Sequence, residues 1–123
     1  MYAKTVLVVD DEENIRRLVH SMLGSEYVVR EAKDGDEAVN IARSQKPDII
    51  LMDIMMPKMD GYAACHAIKT EPATKTIPVV MLTGVGYELN KKLSQEMGAS
   101  GHITKPFSLR NLLDVIGQFL STT

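Results

Sequence analysis

Asp10 and Asp11 follow the apolar run Val6-Leu7-Val8-Val9, and Asp53 follows Ile49-Ile50-Leu51-Met52. Thr83 closes the run from Ile77 to Leu82, and Lys105 stands after Gly101 to Thr104. If these runs are parallel strands of one sheet, their carboxyl ends share an edge, where doubly wound sheets bind ligands. Three carboxylates, a hydroxyl and an ammonium then gather from distant parts of the chain. Carboxylates so close repel one another, and a proton or a cation must be held among them. Mg²⁺ suits such a set, because it takes oxygen ligands: one or two carboxylates, waters and a substrate phosphate. Together with Lys105 it would put positive charge around an oxygen that receives a phosphoryl group, while Thr83 donates a hydrogen bond. Phosphoryl transfer asks little more of a protein than this positioning and charge stabilisation.

The elements needed to bring those residues together are legible as an alternation of periods. A continuous β-branched run such as Val6–Val9 predicts a strand buried on both faces. Ile15, Leu18, Val19, Met22 and Leu23 then form one helical stripe, which Gly24 stops. A second strand is expected from Tyr27 to Ala32, closed by the turn dipeptide Asp34-Gly35, with Asp36 capping a helix to about Gln45. Pro47 ends that helix before the strand Ile49–Met52. A loop through Pro57 and Asp60-Gly61 leads to a helix from about Tyr62 to Lys69. The strand Ile77–Leu82, with Pro78 near its start, precedes a polar helix from about Tyr87 to Glu96. A short strand, Gly101–Thr104, comes before a last amphipathic helix marked by Leu109, Leu112, Leu113, Ile116 and Leu120. Five βα units predict an open parallel sheet with helices on both faces.

Composition narrows the classes. The 123 residues are 45% hydrophobic and 24% charged, the balance of one globular domain rather than a disordered chain. A net charge of -2 gives no general pull toward nucleic acid or anionic lipid. Cys65 is the single cysteine and has no disulfide partner within the chain, and His20, His66 and His102 share no metal-ligand spacing. Met52, Met55, Met56 and Met59 are dense, but methionine at such density usually fills gaps in packing. No apolar run has the length of a membrane span or a signal-peptide core, which leads us to expect a cytoplasmic protein.

Taken in order, Asp10-Asp11, the stretch Asp53-Ile54-Met55-Met56-Pro57-Lys58-Met59-Asp60-Gly61, Thr83-Gly84 and Lys105-Pro106-Phe107 resemble the receiver domains of two-component response regulators. The resemblance covers essentially the whole chain and is closest to the single-domain chemotaxis type. It implies a flavodoxin-like (βα)5 fold, a doubly wound five-stranded parallel sheet of order 2-1-3-4-5. One receiver domain over residues 1–123, with no output domain, is the expected organisation. Asp53 is the implied phosphoacceptor, with Thr83 and Lys105 assisting. Asp11, Asp53 and the backbone carbonyl of Met55 are the implied Mg²⁺ ligands, Asp10 acting through water and Mn²⁺ serving as a substitute. Gly84 would keep the path to the phosphate clear, and the Lys105-Pro106 bond is typically cis in this family.

The expected partners are a sensor histidine kinase or histidine phosphotransfer protein and a downstream protein, with no direct nucleic acid and no membrane. The protein is expected to be a monomer or a weak phosphorylation-dependent dimer. The kinase would dock along the first helix and the loop after the fifth strand, with Asn14, Arg16 and Arg17 as candidate contacts. The output face would comprise Tyr87–Met97, the fifth strand and the last helix. The family usually carries Tyr or Phe three residues before the lysine, as a rotating switch; here that position is His102, a smaller planar ring. Met55 and Val85 occupy the two variable positions flanking the site. Neither side chain can hydrogen-bond a hydrolytic water, so self-dephosphorylation should be slow.

Other classes fit less well. A flavin or nucleotide binder needs a phosphate-cradling loop, whereas Asp10-Asp11-Glu12-Glu13 would repel phosphate. An aspartyl phosphohydrolase places its nucleophile after the first strand and adds a cap, for which the chain has no spare length. A degenerate receiver that binds partners without phosphorylation is disfavoured by the intact acidic and lysine positions. The expectation is therefore a signalling protein and not an enzyme, one that assists its own phosphorylation and slow dephosphorylation.

Overall fold

A computed structural model describes residues 3–54, 56, 59–84, 92–93 and 95–120, leaving aside the side chain of Thr83. The continuous apolar runs become the middle of a five-stranded sheet: β1 (Thr5–Val9), β2 (Val28–Ala32), β3 (Ile49–Asp53), β4 (Val79–Thr83) and β5 (Gly101–Thr104). The spatial order is β2-β1-β3-β4-β5, with every neighbouring pair parallel. β3 is buried along its whole length, whereas β2, at an edge, buries only Val29 and Ala32. Four helices lie among the described residues: α1 (Glu13–Leu23), α2 (Gly35–Gln45), α3 (Gly61–Thr70) and α4 (Leu109–Leu120).

Successive strand residues point to opposite faces, which divides the core in two. Leu7, Val9, Ile50, Met52, Val79 and Met81 pack with Ala38, Ala42, Ala64, Cys65 and Ile68 from α2 and α3. Val6, Val8, Ile49, Leu51, Val80, Leu82 and Ile103 pack with Val19, Leu23, Leu112 and Ile116 from α1 and α4. Cys65 is wholly buried, and Met56 and Met59 pack against the first of these clusters. No helix among the described residues is long and apolar enough to cross a membrane.

Some local expectations need correction. Asp34, not Asp36, caps α2: its side chain accepts from the Glu37 amide at 2.9 Å, so Asp34-Gly35 begins the helix rather than closing a turn. Leu18 belongs to the apolar stripe of α1 but is 43% exposed, because it borders an open cavity instead of the core. Gly24 ends α1 in a right-handed conformation, with φ of -63°, so its freedom to adopt positive φ is unused. Positive φ occurs instead at Lys46, after α2, with φ of 47°, immediately before Pro47, and at Gly98, with φ of 94°. The expected polar helix from Tyr87 to Glu96 lies mostly outside the described residues.

Two glycines bring the loops at the carboxyl edge close together. A Cβ on Gly61 would collide with the Asp53 carbonyl oxygen and lie 2.8 Å from the Ile54 Cα. On Gly35, a Cβ would come within 2.9 Å of the Met59 Cβ. Both helices begin where only a missing side chain permits the approach.

Candidate functional site

The reversal of strand order places the carboxyl ends of β1 and β3 side by side, with Val9 opposite Met52. Asp10 therefore emerges next to Asp53. Asp10 is fully buried, and each of its polar groups is engaged. Its N–H donates to the Ala32 carbonyl at 3.1 Å, and its own carbonyl accepts from Arg16 Nη1 at 2.7 Å. Oδ1 accepts from the Glu12 amide at 2.9 Å, and Oδ2 accepts from Lys105 Nζ at 3.0 Å. The same ammonium donates to Asp53 Oδ1 at 3.2 Å. Lys105 thus bridges two buried carboxylates that lie 43 residues apart in sequence.

Among the described residues, charge is not balanced at this edge. Oxygens of Asp10, Asp11 and Glu12 lie within 4.8 Å of one another, and Asp53 adds a further carboxylate through Lys105. Burial first, and then the charge of Asp10 with a smaller push from Asp11, hold the Asp53 carboxyl above its ordinary range, against the opposing pull of Lys105. Burial alone would lower the Lys105 ammonium, but hydrogen bonds and charge from Asp10 and Asp53 outweigh it, and its pKa is raised. Arg16 does not relieve the imbalance, because Glu31 pairs with it at 3.0 Å. The donors are all hard oxygens with surplus negative charge, a set that fits a divalent cation such as Mg²⁺.

Lys105 also opens onto a cavity of about 330 Å³ lined by Ile15, Leu18, Gly84, Pro106 and Phe107. Among the described residues, a Cβ on Gly84 would meet no atom within 4 Å, so their packing does not require the glycine, and the approach to Lys105 stays open. The Lys105-Pro106 bond is cis, as the sequence resemblance implies.

Asp10, Asp11, Asp53 and Lys105 are brought together as expected, and Thr83 ends β4 one residue beyond the partner of Asp53. The Thr83 side chain, Met55 and Val85 lie outside the described residues. His102 is not part of this cluster. It sits half-buried on β5 in a separate cavity with Thr104, Asn111 and Val115, of which Pro106 forms the shared wall.

Arg16 is a correction. Its side chain is only 15% exposed and is directed at Glu31 and the Asp10 carbonyl, so it is not a free docking contact; Arg17, at 72%, is exposed and pairs with Glu13. Sequence reasoning missed Glu12 in the acidic group and the Arg16–Glu31 pair. The available signal was Glu31 itself, a charged residue one step before the carboxyl end of a strand that pairs with β1.

Comparison with known proteins identifies the family. The family described as "Response regulator receiver domain" matches residues 6–117. The chain is 42% identical over 110 residues to the alkaline phosphatase synthesis transcriptional regulatory protein PhoP of Bacillus subtilis, covering 89% of this chain and 45% of that protein. It is 40% identical over 123 residues to the probable transcriptional regulator ycf27 of Cyanophora paradoxa, covering 98% of this chain and 49% of the relative. The chain thus spans about half the length of the curated relatives it matches. Among solved structures, the chemotaxis protein CheY4 of Vibrio cholerae superposes with a TM-score of 0.91 at 33% identity, over 97% of this chain and all of that one. The receiver domain of the sensor histidine kinase PA1611 from Pseudomonas aeruginosa, with a magnesium ion coordinated in its active-site cleft, gives 0.91 at 27% identity over 98% of this chain and all of that one. With the fold, the strand-end acidic edge and these likenesses in agreement, the chain belongs to the receiver domains of two-component response regulators.

Proposed function

We propose that this chain takes a phosphoryl group onto Asp53 from a phosphohistidine on a sensor kinase or phosphotransfer protein. The observation that supports the reading best is the pair of buried carboxylates, Asp10 and Asp53, sharing one Lys105 ammonium at an edge with surplus negative charge. Asp53 Oδ1 is engaged by Lys105, which leaves Oδ2 as the attacking oxygen. It forms the new O–P bond as the P–N bond to the donor imidazole breaks, and the electron pair stays on the imidazole nitrogen. Lys105, already within hydrogen-bond reach, turns from the carboxylate to the phosphoryl oxygens, and the Thr83 hydroxyl donates to them. Asp11, Asp53 and the Met55 carbonyl would hold Mg²⁺, with Asp10 acting through water and Mn²⁺ as a substitute; bound there, the cation neutralises charge on the transferring group.

The modified domain signals through the face made by β5, α4 and the segment before β5, where His102 stands in place of the usual aromatic switch, or it passes the group onward. Met55 and Val85 cannot order a hydrolytic water, so the aspartyl phosphate is long-lived.

Intact mass after incubation with acetyl phosphate, with and without Mg²⁺, tests the reading on wild type and Asp53→Ala. One added phosphoryl group that needs both Mg²⁺ and Asp53 is expected. Modification that survives Asp53→Ala would sink the assignment, and none on wild type would favour a phosphorylation-independent binding module.

A further inference from the structure

Asp10 is tied on every side, and one of those ties comes from α1, through Arg16. Arg16 uses its planar fork in two directions: Nε donates to Glu31 Oε1 at 3.0 Å on β2, and Nη1 donates to the Asp10 carbonyl at 2.7 Å. The other Glu31 oxygen lies 3.5 Å from His20 Nδ1, one turn further along α1. The Asp10 carbonyl and the Asp11 N–H belong to one planar peptide unit, so whatever fixes the carbonyl direction also fixes where the Asp11 backbone begins. We propose that Arg16 is a positioning residue, which with Glu31 locks the Asp10–Asp11 peptide and thereby presents the Asp10 and Asp11 carboxylates to the divalent cation. This rests on the phosphoacceptor reading above.

The role of Glu31 follows from charge. A bare guanidinium beside an acidic cluster would repel an incoming cation; paired with Glu31, it supplies direction without net charge. A lysine offers a single ammonium and cannot reach both partners with the same planar geometry.

The sign of the effect separates positioning from charge. Removing a positive group near a cation site should tighten cation binding if charge alone matters, and weaken it if geometry is lost. Mg²⁺ affinity is measured by titration of the folded protein without phosphodonor, on wild type, Arg16→Met, Arg16→Lys, Glu31→Gln and the exposed control Arg17→Met. Arg16→Met should weaken Mg²⁺ binding about tenfold, as loss of a group that orients a metal ligand typically does. Arg16→Lys should not restore it, and Arg17→Met should leave it unchanged or slightly tighter. Glu31→Gln should weaken binding severalfold, with a loss that shrinks as salt is raised.

Unchanged or tighter binding in folded Arg16→Met overturns the inference, as does full recovery in Arg16→Lys. If Arg16→Met does not fold, Arg16→Lys decides, because it keeps the charge and changes only the geometry, and wild-type affinity there overturns it. A wild type that binds no Mg²⁺ overturns the phosphoacceptor reading instead.

Discussion

Strand β3 has an aspartate at each end of its apolar run, and the two are used in opposite ways. Asp48, before the strand, makes a two-bond clasp with Thr5 of β1: its N–H donates to the Thr5 carbonyl at 2.9 Å and its Oδ2 accepts from the Thr5 amide at 2.7 Å. Its partners are neutral peptide groups. Asp53, at the other end, is buried beside Asp10 and shares a single ammonium with it. The first aspartate closes a register; the second is left with charge that the described residues do not balance. The candidate site lies at the end of the strand where charge, not hydrogen bonding, is left over among the described residues, a contrast that residue type alone does not show.

The comparison breaks most visibly through Lys105. Lys105→Met should slow Asp53 phosphorylation by acetyl phosphate about a hundredfold, the scale of losing one preorganised charge-stabilising donor. Steady-state phosphorylation rates at saturating Mg²⁺ check this, and a wild-type rate would remove Lys105 from the transfer step. The close packing beneath Asp53 is next. Gly61→Ala should lower stability by about 3 kcal/mol, since its Cβ meets backbone that has no room to retreat. Urea midpoints measure it, and a change below the error of the midpoint would show that α3 can shift.

A pair of substitutions sets the two aspartates against each other directly. Asp48→Ala should cost about 1–2 kcal/mol while leaving phosphorylation intact, because a partly buried amide loses its acceptor. Asp53→Asn, in metal-free protein, should raise the unfolding midpoint while abolishing phosphorylation, because it removes a desolvated charge facing Asp10 and Asp11. Loss of stability at both positions would erase the contrast.

The smallest effect separates burial from function. Cys65 is as buried as Asp10, but burial pushes its thiol up to about 11, with only a weak opposing pull from Lys69. The stability that comes from keeping the thiol neutral is whole below the unfolded thiol's range. It is lost as pH rises toward about 11. The advantage of wild type over Cys65→Ala in denaturant should therefore shrink between pH 8 and pH 11, and the native thiol should resist alkylation until the protein unfolds. A constant gap would contradict the burial.

Period and breakers were enough to place the strands and helices of the described residues to within a few residues, since continuous apolar runs belong to strands covered on both faces. Asp10, Asp11 and Asp53 were legible for the same reason, each standing at the carboxyl end of such a run, and Lys105 follows the short strand Gly101–Thr104. The capping error at Asp34 arose because Asp34-Gly35-Asp36 offers two aspartates two residues apart, and only the backbone direction, extended at Asp34, decides which side chain reaches a helix amide. Leu18 matched the stripe, but periodicity identifies a face and not what covers it.

The sequence by itself determined the alternation of elements, the parallel sheet and the acidic edge, because those follow from local period and from charge at strand ends. Tertiary structure alone decided that one lysine serves two aspartates, that Gly61 lies on the Asp53 carbonyl and that Arg16 turns inward to Glu31. These are contacts between residues distant in the chain, whose distances and directions are set by strand order and crossover geometry, and no local pattern in the sequence encodes them.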